Sequence, residues 1–285
     1  MLDGWPSRRY TEAALRSWIG SHLLATAVIG TLLAIAATAV LDAVGLGFNF
    51  LPLVILFFLF WWLQRLSRKA LGLAWGTPAD YGLAASYPVI VLAIIGIVAW
   101  AAGAASFSTI DWGPTLLNLA GQVVVTTLVA IVTEEGIFRG WLWVTLRRAE
   151  VGQVAVLFWT SAAFAAWHIS TAILPTPFHP PLAQVPVYIL NAGVIGFVWG
   201  QMRLRSGSIL VTSFSHGLWN GLVYVLFGFG TTLGVFGIHN TAVFGPEIGL
   251  VGLALNVVFA AALWLTPSRP ATRQPAVVAA AEAKA

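Results

Sequence analysis

Three sets of polar side chains interrupt long apolar runs in this chain, each spaced to share one helical face. Glu134, Glu135 and Arg139 stand in Ile131–Trp143 (IVTEEGIFRGWLW), Phe164 and His168 in FAAWH, and His216 and Asn220 in HGLWN. On an α-helix, side chains four apart lie on one face, whereas adjacent ones diverge by about 100°. Glu135 can therefore pair with Arg139, which lets both stay charged in a low-dielectric setting. Glu134 then points elsewhere and has no local cation. Ionisable groups inside a membrane span are costly, and they mark functional sites by default.

The set is sufficient to hydrolyse an amide. Glu134 with His168 can take a proton from a water and return it to the leaving amine, as general acid–base catalysis requires. His216 and Asn220 can donate hydrogen bonds to the oxyanion of the tetrahedral intermediate. These four are the candidate catalytic residues, with Glu135 and Arg139 as supports; no residue is assigned to substrate binding. Glu134, His168 and His216 could alternatively ligate a zinc ion carrying a water, although the favoured reading needs no cofactor. With no cysteine in the chain, thiolate catalysis and disulfides are excluded. His22, His179 and His239 are loop or interfacial histidines without an assigned role.

The elements that must position these residues are membrane helices. Hydrophobic residues make up 59% of the chain and charged ones 8%, against about 25% charged in soluble domains. Mean hydropathy is +0.88. An all-α polytopic membrane protein of about eight spans is expected, over 18–41, 50–63, 87–105, 115–148, 151–171, 183–201, 208–229 and 248–265. Residues 1–16 form a cytoplasmic N-terminal segment and 17–266 one membrane domain with its motif-bearing core at about 115–229. Residues 267–285 are read as a disordered cytoplasmic tail.

The net charge of +4 does not point to nucleic acid, because Lys and Arg cluster at the ends of alternate apolar runs, where they set topology. With both termini cytoplasmic, 13 of the 14 Lys and Arg fall inside and the exception is Arg139. Glu134 lies 13 residues before Arg147, His168 lies 20 after Arg148 and His216 lies 11 after Arg205. Those separations put the three at roughly 20, 30 and 17 Å of helix from the basic end, a loose agreement in which His168 is the outlier.

The ordered pattern of Glu-Glu-x-x-x-Arg, Phe-x-x-x-His and His-x-x-x-Asn on separate spans resembles the family of CAAX proteases and bacteriocin-processing intramembrane proteins (CPBP, or ABI), including the type II CAAX prenyl endopeptidases. The resemblance covers about Val123 to Gly228. It implies an eight-helix core opening to the cytosol and peptide-bond hydrolysis within the membrane. It also implies Glu134 and His168 as water activators, Glu135 and Arg139 as supports, and His216 and Asn220 at the oxyanion. The family is described both as metal-dependent and as metal-free, and the second is favoured here. The expected partners are the bilayer and a membrane-associated peptide or protein substrate, in CAAX-type processing or peptide maturation. The expected location is the bacterial cytoplasmic membrane. The rivals are a non-catalytic scaffold or immunity protein of the same fold and a proton-coupled transporter. The sequence does not set the oligomeric state.

Overall fold

The computed structural model describes residues 8–48, 50–107, 110–230 and 232–266, so the expected tail lies outside the described residues. These segments are helical almost throughout. Helix α1 (Arg8–Ser21) breaks at His22 before α2 (Leu23–Ala43), so the first expected span starts five residues late. Helix α3 (Leu51–Leu63) carries proline in its first turn, where the missing N–H costs nothing. A single turn, α4 (Arg68–Leu71), is capped by Ser67. Helix α5 (Pro78–Ala101) begins nine residues before the expected span, because Thr77 and Asp80 form a capping box that satisfies its first amides.

Helix α6 (Trp112–Val132) is capped by Asp111 and stops at Thr133, whose φ of −113° and ψ of −106° leave the helical region. The chain resumes as a π-helical stretch, Glu135–Leu142, and then α7 (Trp143–Arg148). The fourth span was expected as one continuous helix; its break falls immediately before the paired glutamates. After α8 (Gln153–Ile173) and α9 (Val185–Ser206), α10 (Ile209–Leu222) ends in a second π turn, Val223–Phe227. A small hairpin, β1 (Gly228–Phe229) with β2 (Thr232–Leu233), was not expected. The short α11 (Thr241–Phe244) and then α12 (Leu250–Leu265) follow.

Among the described residues, six helical stretches are long and apolar enough to cross a membrane, and α3 and α12 are shorter apolar helices beside them. Large apolar side chains such as Leu24, Val28, Leu32, Leu117 and Val258 are more than half exposed, as a lipid-facing surface requires. The protein is therefore an integral membrane protein with an all-α fold.

Hydrogen bonds identify the two ends of the bundle. At one end Arg16 donates to the carbonyls of Trp62 and Leu63, Arg148 to that of Gln64, and Arg203 to that of Ala70. There too Arg205 donates to Leu263 and Thr266. At the other end the N–H of His239 donates to Ala104 and that of Ser106 to Phe236. Arginines gather at one end, as the charge pattern implies. The core holds Trp141, Trp199 and Trp219, each at most 2% exposed. Tryptophan here is thus core as well as interface; Trp141 stacks on Phe60 at 4.1 Å.

Candidate active site

Close helix packing brings the three motifs together. Gly217 and Gly221, one turn apart on α10, face Thr127 and Val123 of α6; a Cβ on Gly217 would lie 2.0 Å from Thr127 Oγ1. Small residues at this spacing let two membrane helices approach closely. The Thr126 hydroxyl, which also donates within α6 to Gln122, lies 3.1 Å from the Gly217 carbonyl. This contact sets His216 and Asn220 beside the end of α6, where Glu134 emerges. Gly196 of α9 does the same on the other side, because a Cβ there would meet Arg139 Nη2 at 3.0 Å and Phe164 Cδ1 at 3.2 Å.

The expected ion pair is present and sealed. Arg139 Nη1 donates to Glu135 Oε1 at 3.2 Å, and both side chains are fully buried. Arg139 Nη2 donates to the Gly196 carbonyl at 2.9 Å, while its guanidinium lies 4.3 Å from the centre of the Phe164 ring. The stacking and the hydrogen bonds together offset the desolvation of the charge.

Glu134 faces away from this pair, as helical spacing required. Its Oε2 lies 3.8 Å from His168 Nε2 and 3.8 Å from His216 Nε2. The Phe164 carbonyl accepts from His168 Nδ1 at 2.8 Å. A carbonyl cannot donate, so that hydrogen bond places the proton on Nδ1 and leaves Nε2 of a neutral imidazole with its lone pair toward Glu134. The phenylalanine of the FxxxH motif thus packs on Arg139 and orients the histidine. The loose depth of His168 is resolved by α8 beginning only at Gln153, beyond Gly152.

His216 touches both carboxylates. Its Nδ1 lies 3.1 Å from Glu135 Oε1, and its ring stacks on Trp199 at 4.0 Å. With Nδ1 facing the Glu135 carboxylate, Nε2 can donate to a developing oxyanion only when the ring carries both protons. Asn220 lines the same cavity one turn further along α10.

The cavity has a volume of about 170 Å³, room for a few waters or one side chain. On the arginine side it is closed by Phe164 and Trp199. Toward the other end it is lined by Thr171, Phe178, Tyr188, Tyr224, Phe229 and Glu247. Its lining therefore extends toward the end of the bundle that has no Lys or Arg. Sequence reasoning gave no role to Glu247, which falls between the expected spans 208–229 and 248–265. The available signal was a lone acid in a Gly-Pro-Glu-Ile-Gly turn, between spans with polar faces. Glu247 Oε1 accepts from Trp219 Nε1 at 3.1 Å, and burial pushes its carboxyl up to about 7.

A shared zinc ion would impose its own spacing on Glu134, His168 and His216. Oxygen and nitrogen ligands of one tetrahedral zinc, at about 2.0–2.1 Å, lie about 3.3 Å from one another. Glu134 stands 3.8 Å from each imidazole, and no group of three His, Cys, Asp or Glu among the described residues is arranged to hold a metal ion. The observed spacing is thus about 0.5 Å wider than a shared zinc would set.

Residues 116–222 match the family model described as type II CAAX prenyl endopeptidase, Rce1-like. The match spans less than half of the chain and contains all three motifs. Over this stretch the chain is similar to that family, in keeping with the expected resemblance to CAAX proteases. No curated protein and no solved structure matches the chain.

Proposed function

We propose that this protein is an intramembrane endopeptidase whose nucleophile is a water held between Glu134 and His168. The observation that carries the reading is the placement of two imidazole Nε2 atoms at 3.8 Å from one carboxylate oxygen, at the foot of a cavity. Two acceptors at that separation can share one water, each taking one of its hydrogens. Glu134 and His168 remove one proton as the water oxygen attacks the scissile carbonyl. His216 and Asn220 donate to the oxyanion that forms. The C–N bond breaks as the removed proton passes to the leaving nitrogen, which yields a carboxylic acid and an amine. Glu135 and Arg139 hold the ring of His216 and the floor of the site. No step of this reaction passes through a metal.

We place the arginine-bearing end, and both termini, in the cytoplasm of a bacterial inner membrane, on the positive-inside rule. The cavity mouth then faces away from the cytoplasm. The family resemblance implies a core opening to the cytosol, whereas the charge pattern, taken with the lining of the cavity, favours access from the far side. The substrate is accordingly a membrane-associated peptide or protein segment presented on the far side, a setting closer to peptide maturation than to processing of a cytosolic CAAX terminus.

Substitution Glu134→Gln is expected to lower cleavage by roughly 10²- to 10⁴-fold while leaving the fold intact. The measurement is a proteomic comparison of membranes containing either form, which should show one fragment absent from the variant. Full complementation of a null strain by Glu134→Gln would remove the endopeptidase reading in favour of a scaffold.

A further inference from the structure

The mouth-side wall of the cavity is a run of aromatic rings. Phe178 lies 4.6 Å from Tyr188 and 5.2 Å from Phe229, and Phe229 lies 4.7 Å from Tyr224. The faces of such rings carry negative charge and attract cations. Glu247 stands in the same wall, beside Trp219.

The loop bearing Glu247 is held in place by a relay of buried polar groups. Asn191 Nδ2 donates to the carbonyls of Pro246 and Glu247 at 2.9 and 3.0 Å. Asn256 Nδ2 donates to Asn191 Oδ1 at 2.9 Å, and the Tyr87 hydroxyl donates to Asn256 Oδ1 at 2.8 Å. Tyr87, Asn191 and Asn256 come from three helices and are all fully buried. Burying three polar side chains is costly unless each is satisfied, so the relay fixes the loop in one position. Among the described residues, no Lys or Arg lines this cavity and no cation pairs with Glu247.

We propose that the mouth-side half of the cavity is a cation-accepting subsite, formed by Glu247 with Tyr188, Tyr224 and Phe229, which selects substrates bearing an ammonium or guanidinium near the scissile bond. The cation is a lysine or arginine side chain or a free α-amino group. A free C-terminal carboxylate would find no counter-charge in this wall. The proposal rests on the endopeptidase reading and adds its substrate class.

Binding of a cation requires Glu247 to be ionised, so affinity for it should rise with pH through about 7 and level off above. The polar and titratable groups around that carboxylate are Glu134 at the end of α6, His216 and Trp219 on α10, Tyr188 on α9 and Tyr224 on the second π turn. Only the part of the pH dependence lost on Glu247→Gln belongs to Glu247.

The test uses full-length Glu134→Gln protein in lipid nanodiscs and short apolar peptides in which one residue is Lys, Arg, Gln or Glu. The Gln peptide is also made with free and with acetylated N-termini. Lys or Arg peptides should bind at least about 10-fold tighter than Gln or Glu peptides, and Glu134→Gln/Glu247→Gln should abolish that preference. If only the free N-terminus confers tight binding, the cation is an α-amino group. Tyr224→Leu, which keeps the carboxylate, should weaken Lys-peptide binding by about 3- to 10-fold and serves if the Glu247 variant does not fold. Equal binding of Lys, Gln and Glu peptides with no effect of the free amine, or a preference that survives loss of Glu247, would overturn the subsite. Because binding is read in a protein disabled at Glu134, the outcome is independent of whether wild type cleaves any of these peptides. A protein that cleaves without charge preference would lose the subsite and keep the endopeptidase reading.

Discussion

The two ends of this bundle are fastened by different chemistry. At the arginine-bearing end, guanidinium groups donate to carbonyls where helices stop, at Leu63, Gln64, Leu263 and Thr266. Cations suit those positions, because helix C-termini expose unpaired carbonyls and the negative end of the dipole. At the opposite end there is no Lys or Arg; carboxamides, a phenol and backbone pairs tie the loops together. The lining of the cavity extends toward that end. The difference keeps mobile cations away from Glu134 and Glu247, which a guanidinium at the mouth would neutralise. Arg139, the guanidinium beside the site, is already committed to Glu135 and the Gly196 carbonyl.

Four measurements probe the contrast between the two ends. The largest effect is expected at the closed end. Arg139→Met leaves Glu135 buried without its cation and should cost about 3–5 kcal/mol of unfolding free energy, with much of that loss recovered in Arg139→Met/Glu135→Leu. A single variant as stable as wild type in thermal unfolding would show that the ion pair does not support the floor. Next comes Gly217→Ala, whose added Cβ must push α10 away from α6. A displacement on the order of 1 Å should lower cleavage by about 10²-fold, and the assay is a progress curve on whichever fragment Glu134→Gln abolishes.

At the open end Asn256→Leu strands the Asn191 carboxamide and the Tyr87 hydroxyl. It is expected to cost about 1–3 kcal/mol, less than Arg139→Met, and to weaken the charge preference for peptides more than it weakens the fold. The smallest perturbation is topological. Because the chain has no cysteine, Thr171→Cys at the mouth and Ser206→Cys at the arginine end can be labelled singly with a membrane-impermeant maleimide. In intact spheroplasts the first should react and the second should not. Reaction of Ser206→Cys alone would invert the orientation and restore a mouth opening to the cytosol.

Much of the site was legible because its residues repeat at helical spacing. Glu135 and Arg139 could be paired from a four-residue interval, and Glu134 could be separated from them by the angle between neighbours. The alternating arginines also ordered the helices correctly by end. The break at Thr133 was not legible, because Ile-Val-Thr-Glu-Glu contains nothing that forbids a continuous helix; the π stretch is imposed by packing around it. Glu247 was hidden for another reason. A loop residue enters a site through long-range ties, here to Asn191, Asn256 and Tyr87, and no local pattern encodes those partners.

His216 has a consequence for how the site tolerates its surroundings. It is the only described side chain that reaches both glutamates, at 3.1 Å and 3.8 Å. When it holds two protons, the two carboxylates of the motif face two cations, and the buried quartet carries no net charge. A neutral group of four can sit in hydrocarbon at far lower cost than any odd member of it. In that state the proton taken from the attacking water moves among groups whose charges offset one another.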